Sequence, residues 1–197
     1  MKFEETQTYA NLASSMAAEC MDGAKYQWFA DMAQQEGDAC LAETLKQIAT
    51  NEMAHAKVFM DFILEKEAEP AKDVDISLSY PLVGGKMPQR LQAHIESELH
   101  QGEVVYPAFA RTASKEGFED IAKAFLRVAE VEQAHHAKLK TLQQKMQNKQ
   151  LYKTEQKSLW KCSNCGYSHS DVKAWEECPL CGKPQGFVVL KIEQSAY

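Results

Sequence analysis

Two ExxH motifs, Glu52-Met-Ala-His55 and Glu132-Gln-Ala-His135, sit in the middle of otherwise apolar stripes of helical period. One stripe runs Leu41, Leu45, Ile48, Glu52, His55, Phe59, Phe62; the other runs Ile121, Phe125, Val128, Glu132, His135, Leu139, Leu142. A third runs Leu12, Met16, Glu19, Gly23, Tyr26, Ala30, Ala33. Spacing by three and four marks the inward face of a bundle helix. Three residues is about 300° of helix, so each Glu and its His share that face. Carboxylates and imidazoles are therefore directed into a core, where an unpaired charge costs several kcal/mol.

The two stripes are copies. Shifted by 80 positions, Phe29-Ala30, Ala33, Glu36-Gly37, Ala42, Ala49, Glu52, Ala54 and His55 fall on Phe109-Ala110, Ala113, Glu116-Gly117, Ala122, Ala129, Glu132, Ala134 and His135. Tyr26 falls on Tyr106. Each copy predicts a helical hairpin turned at its Gly, Gly37 or Gly117. The segment 69–86, with Pro70, Pro81, Gly84 and Gly85, joins them. Eighteen residues reach up to about 60 Å, enough to cross a bundle lengthwise. The expected fold is an all-α four-helix bundle with one long crossover, ferritin-like, over residues 1–148.

One position breaks the repeat. Glu19 should fall on residue 99, which is Leu99, and the nearest carboxylate is Glu98. One extra residue between Glu98 and Tyr106 restores the phase, and a π-bulge in the third helix supplies it. One Glu from each of two helices and one ExxH from each of the other two is the recipe for a two-metal carboxylate centre. The candidate ligands are Glu19, Glu52, His55, Glu98, Glu132 and His135. Four carboxylates are balanced by two divalent cations, and oxygen-rich ligation with one imidazole each suits iron or manganese. Tyr26 and Tyr106 lie on inner faces near the carboxylates, where they could orient a ligand Glu or serve as ordinary core tyrosines. Cys20 and Cys40 are expected to be buried thiols. His94, His100, His136 and His169 are expected to be solvated or to lie outside the ligand set, and Glu103 and Glu130 to be solvated.

Residues 143–157 are polar and read as a helix end and linker. Residues 158–197 are short and cysteine-rich, too small to fold well on apolar burial alone. Cys162-Ser-Asn-Cys165-Gly and Cys178-Pro-Leu-Cys181-Gly are metal-knuckle pairs, and four thiolates enclose one tetrahedral Fe or Zn. The module alone leaves iron and zinc open; its attachment to a two-iron bundle favours iron. Trp160, Tyr167, Trp175 and Phe187 are expected to pack around it. The net charge of −6 argues against nucleic-acid binding. No apolar stretch predicts a membrane span, and the start MKFEETQTY predicts no signal peptide, so a cytoplasmic location is expected.

AEC at Glu19, NEMAHAK at Glu52, the stretch from Glu98 through YPAFARTASKEG, EVEQAH at Glu132 and CSNCGY with CPLCG together resemble the rubrerythrin family. The resemblance covers nearly the whole chain. It implies a ferritin-like di-iron domain followed by a rubredoxin-like domain, here 158–197. It implies a non-haem peroxidase that reduces hydrogen peroxide to water. Electrons would come from an external NAD(P)H-dependent reductase through the rubredoxin-like iron. It implies two irons, bridged by oxide and carboxylate, with Glu52 and Glu132 as bridges, one iron on the four cysteines, and a homodimer with electron transfer between subunits. One departure stands out: the family's further ligand Glu, three residues after Glu98, is Gln101 here. The competing readings are a ferroxidase, oxidase or iron-handling protein on the same bundle, and a zinc-ribbon binding module.

Overall fold

The computed structural model describes residues 2–66 and 73–190. Helix α1 spans Gln7–Gln35, α2 Ala39–Lys66, α3 Met87–His100, α4 Tyr106–Lys115 and α5 Glu119–Gln147. Between α3 and α4 lies a π-helical turn, Gln101–Val105, so these three segments form one rod and the helices make a four-rod, ferritin-like bundle. Three short strands follow: β1 Lys153–Cys162, β2 Ser168–Lys173 and β3 Val188–Leu190. They form an antiparallel sheet in the order β2-β1-β3. Among the described residues, 2–25 with 48–66 and 73–140 form one compact unit and 26–47 with 141–190 another. None of the described helices is long and apolar enough to cross a membrane.

The two hairpin turns are built alike, as the repeat predicts. At the first, the Asp38 N–H bonds Ala33 O and the Gly37 N–H bonds Gln34 O; at the second, Phe118 bonds Ala113 O and Gly117 bonds Ser114 O. This double closure needs a left-handed residue, and Gly37 (φ 81°) and Gly117 (φ 87°) supply it without a Cβ penalty. Asp38 Oδ1 then caps the Leu41 N–H at the start of α2. Glu116, closing α4, accepts from the backbone N–H groups of Gln7 and Thr8 and so caps α1 from across the bundle.

The inner faces are those the stripes predict. Leu12, Phe59, Ile121 and Phe125 are fully buried in the core of the first unit, with Tyr106, Ala110 and Ala113 of the third rod. The joining segment carries no regular structure over residues 73–84. Val74 packs on the same core, and the Tyr80 hydroxyl donates to Asp22 of α1. Pro70 lies outside the described residues.

The π turn confirms the phase shift read from the repeat. The Tyr106 N–H bonds Gln101 O, five residues back, which inserts one residue into the rod. Glu98 and Tyr106 thereby both face inward. Gly102 lies within the turn, where a Cβ would come 2.9 Å from Ala129 O and 2.8 Å from Gln133 Cγ. Only glycine lets the bulge press this closely on α5.

Candidate metal centres

Six side chains converge inside the first unit. Glu19 arrives from α1, Glu52 and His55 from α2, Glu98 from α3, Glu132 and His135 from α5, each at most 8% exposed. They form two overlapping groups, Glu19-Glu52-His55-Glu132 and Glu52-Glu98-Glu132-His135, whose ligand atoms lie within 4.8 Å of one another. Glu52 and Glu132 belong to both.

The halves mirror each other. His55 Nδ1 lies 3.0 Å from Glu52 Oε2, 3.0 Å from Glu132 Oε1 and 3.7 Å from Glu19 Oε2. His135 Nδ1 lies 3.0 Å from Glu132 Oε2, 3.2 Å from Glu52 Oε1 and 3.4 Å from Glu98 Oε2. Each of the shared carboxylates thus presents one oxygen to each half. The structure brings together all six ligand candidates read from the sequence.

The donor atoms fit a pair of cations. Both Glu52 oxygens, Glu132 Oε1 and His55 Nδ1 are buried, and apart from these histidine–carboxylate contacts none of them has a hydrogen-bond partner. Buried polar atoms are otherwise satisfied in folded proteins, and each orphan costs about 1–3 kcal/mol. Metal bonds would use these lone pairs.

Protons can balance the same cluster. Burial, with the charges of Glu132 and Glu52, pushes Glu19 up to about 8 against the pull of His55. Burial, with Glu52 and Glu132, likewise raises Glu98 well above the carboxylate range. Burial works against the His55 imidazolium, but Glu132, Glu19 and Glu52 outweigh it and push it up to about 12. His135 is pushed up to about 11 by Glu132, Glu52 and Glu98 over the same opposition. Burial opposes ionisation of Glu132, yet His135 and His55 hold it down at about 2.

A measurable consequence follows for metal uptake. At pH 7 the metal-free protein carries protons on His55, His135 and, in large part, Glu19, and two divalent ions must displace them. A pH-stat titration at pH 7 should record about three protons or more released per metal pair. Release of one or none would contradict this arrangement. These groups hold protons more tightly folded than unfolded, so stability of the metal-free protein falls as pH rises. Glu19's share is complete below 4.5 and lost through about 8; the histidines' share is complete below 6.5 and lost towards 11 and 12. Glu132 has the opposite sign, its share lost only as pH drops from 4.5 through about 2.

The surroundings fix the ligands and keep water off. The Tyr106 hydroxyl donates to Glu19 Oε1. Its ring stacks on Phe125 at 6.0 Å, and Phe59 lies 5.8 Å away. Tyr26 is also fully buried, in the other unit. Gln101 turns away from the carboxylate cluster: its Nε2 donates to Asp22 Oδ2 at 3.0 Å. Asp22 also accepts from Tyr80 at 2.8 Å and pairs with Lys25. Sequence reasoning missed this cluster, although Asp22 is one turn beyond Glu19 on the same helix.

One lesser expectation fails: Cys20 is exposed, because one residue beyond Glu19 is about 100° round the helix, and Cys40 is only half-buried. His94 lies outside both ligand groups, as expected, but is buried; burial, with the charges of Lys25 and Arg90, lowers it to about 3. His136 Nδ1 lies 2.8 Å from Ile95 O. Glu103 and Glu130 are exposed as expected.

In the second unit, Cys162, Cys165, Cys178 and Cys181 bring their sulfurs within 4.8 Å of one another. Cys162 and Cys181 are 3.8 Å apart, Cys165 and Cys178 3.7 Å. A tetrahedron with metal–sulfur bonds of about 2.3 Å has edges of about 3.8 Å, so four thiolates here fit one ion. Each knuckle closes on glycine, with Gly166 N bonded to Cys162 O and Gly182 N to Cys178 O, both at 2.9 Å. The Lys183 backbone N–H, with the Cys165 and Cys178 thiols and the Asn164 amide, lowers Cys181 to about 6. Trp160 is buried on Ala174 and Val188, with Trp175 packed alongside and Tyr167 against Trp175 at 5.3 Å.

Comparison with known proteins places both centres in context. A family model described as rubrerythrin matches residues 10–142 and also 89–162. A second, described as the rubredoxin-like domain of rubrerythrin, matches 160–187. The rubrerythrin of Clostridium perfringens is 32% identical over 186 residues, covering 92% of this chain and 93% of its own. Rubrerythrin-1 of Clostridium acetobutylicum is 31% identical over 182 residues, covering 92% and 93%. Among solved structures, mixed-valence nigerythrin covers 96% of this chain and 91% of its own (TM-score 0.62, 23% identity). The bacterioferritin of Desulfovibrio desulfuricans covers 73% and 82% (TM-score 0.64, 24% identity). At these identities the two structures speak for the fold.

Proposed function

Since the chain belongs to the rubrerythrin family, we propose that it is a non-haem di-iron peroxidase reducing hydrogen peroxide to water. The observation that carries this reading is the mirrored six-ligand cluster in one chain with a four-thiolate site. Glu19 and His55 would hold one iron, Glu98 and His135 the other, with Glu52 and Glu132 spanning both. Such a pair supplies Lewis acidity and two electrons to an O–O bond. Tyr106 steadies Glu19 through its hydroxyl, and the aromatic layer of Phe59, Tyr106 and Phe125 excludes bulk water.

Each peroxide consumes two electrons and two protons and yields two waters. The four-cysteine site, holding one iron, would pass electrons singly and turn over twice. Their source is a separate NAD(P)H-dependent reductase, and the working form is a homodimer in the cytoplasm, with electrons crossing between subunits.

The test is anaerobic. In the reduced protein, with about two irons in the bundle and one on the cysteines, one equivalent of hydrogen peroxide takes two electrons, so about one and a half equivalents per chain should reoxidise all three irons, and faster than air does. Faster reaction with dioxygen, with iron accumulating in large particles, would favour the ferroxidase reading. Zinc on the cysteines of the native protein would overturn the electron relay.

Gln101 offers a separate check. Gln101→Glu would set two carboxylates about 3.0 Å apart, the present Gln101–Asp22 distance. Like charges at that range repel, so the new side chain should leave Asp22 and swing to the metals. The variant should show different ligand geometry in its oxidised and reduced forms by X-ray absorption. Identical geometry in both would count against the swing.

A further inference from the structure

The third rod carries one residue more than its copy, α1, and the internal repeat shows where it enters. Aligned on Glu19 and Glu98 the copies run 79 apart, so Asp22 and Gly23 match Gln101 and Gly102. Aligned on the tyrosines they run 80 apart, so Tyr26 and Gln27 match Tyr106 and Pro107. The extra residue lies between Gly102 and Tyr106, inside the π turn. Its copy is α-helix without interruption from Gln7 to Gln35.

The glycine is common to both copies. A Cβ on Gly23 would come 3.0 Å from Met53 Sδ and 3.3 Å from Ala49 O; on Gly102 it would come 2.8 Å from Gln133 Cγ and 2.9 Å from Ala129 O. Met53 matches Gln133 and Ala49 matches Ala129. Close approach of a helix at this glycine therefore does not by itself call for a bulge. Two matched positions differ in chemistry: Gln27 against Pro107, and Met53 against Gln133.

Both differences favour the bulge. In an α register the N–H of residue 107 would bond Glu103 O. Proline has no N–H, and its ring would press on that carbonyl. A wider turn ahead of Pro107 gives up a bond that proline had already removed. The Gly102 carbonyl then has neither of its two helical donors: the Tyr106 N–H bonds Gln101 O, and residue 107 is Pro107. Gln133 Nε2 reaches across from α5 and donates to Gly102 O at 3.1 Å. Met53, at the matching place on α2, has no N–H to give.

The position of the bulge decides where Tyr106 points. One residue is about 100° of helix. Were the extra residue absorbed beyond Tyr106, the ring would turn through that angle and its hydroxyl would leave Glu19, to which it now donates. We propose that Pro107 and Gln133 are positioning residues: together they pin the π turn ahead of Tyr106 and so hold the Tyr106 hydroxyl on Glu19. The effect on catalysis rests on the peroxidase reading; the pinning does not.

Pro107→Gln with Gln133→Met gives the third rod the residues of its copy. The double variant should keep the wild-type helix content by circular dichroism. In the metal-free protein, the hydroxyl proton of Tyr106, assigned by its disappearance from the NMR spectrum of Tyr106→Phe, should exchange with water at least about tenfold faster than in the wild type. In the reduced di-iron protein, reoxidation by hydrogen peroxide should slow about tenfold, the scale of losing a partner that orients a ligand. Adding Tyr106→Phe to the double variant should slow it no further. Wild-type exchange of the hydroxyl proton in the double variant would overturn the pin, and so would a full further loss of rate on adding Tyr106→Phe. Should the double variant lose helix content, Pro107→Gln alone is read in the same way, and unchanged hydroxyl exchange in it overturns the pin. A wild type that does not react with hydrogen peroxide would overturn the peroxidase reading, and the hydroxyl exchange would still decide for or against the pin.

Discussion

Glu52→Ala should strip the bundle of both metals while the four-cysteine site keeps its own. Glu52 turns Oε2 to the His55 half and Oε1 to the His135 half. Alanine therefore removes one donor from each ion at once. Loss of a partner that only supports a ligand costs about 10–100-fold in affinity, and loss of a shared ligand should exceed that. Iron analysis should find about one iron per chain instead of three, and peroxide should no longer reoxidise the reduced protein. The contrast is Glu19→Ala, which touches one half alone and should leave one bundle iron in place. Full iron loading with peroxidase activity in Glu52→Ala would refute the shared-ligand assignment.

Cys162→Ser should unfold the small module and leave the bundle standing. The module's buried core is Trp160, Ala174 and Val188, with Tyr152, Trp175 and Leu190 partly covered. Domains below about 40 residues seldom hold together on such a core. Metal binding by small thiolate domains contributes about 10–16 kcal/mol of folding free energy. Serine breaks the tetrahedron, so Trp160 should become exposed, with red-shifted fluorescence and protease cleavage beyond residue 150. The visible absorption of the iron tetrathiolate should vanish. Reductase-driven turnover should stop, while chemical reductants still serve the bundle. Retained reductase-driven turnover would show that electrons take another route.

Much of this is legible in the sequence itself. Stripes that mix Glu and His among Leu, Ile and Phe reveal inner faces, because only the three-and-four spacing places such residues together. The glycines at 37 and 117 announce the two turns, since a left-handed cap has few other solutions. Even the π turn could be read, from a carboxylate one residue out of step with its copy. The Asp22–Gln101–Tyr80 cluster could not. Its members lie on α1, on the joining segment and at the π turn, and no local period links them. Asp22 sits one turn beyond Glu19, but that spacing alone suits a solvated residue equally well. The burial of His94 and the exposure of Cys20 escaped for the same reason: neighbours remote in the chain decide which side of a helix is covered.

The extra residue in the third rod has a consequence for how this molecule could evolve or be engineered. Deleting any one position of 101–105 would restore an ordinary α-helix and make the third rod regular. The same deletion would swing Glu98 and Tyr106 out of common phase, uncoupling the Glu98 carboxylate from the hydroxyl that anchors Glu19. Selection for heat resistance alone would therefore tend to erase the irregularity, and selection for chemistry would preserve it.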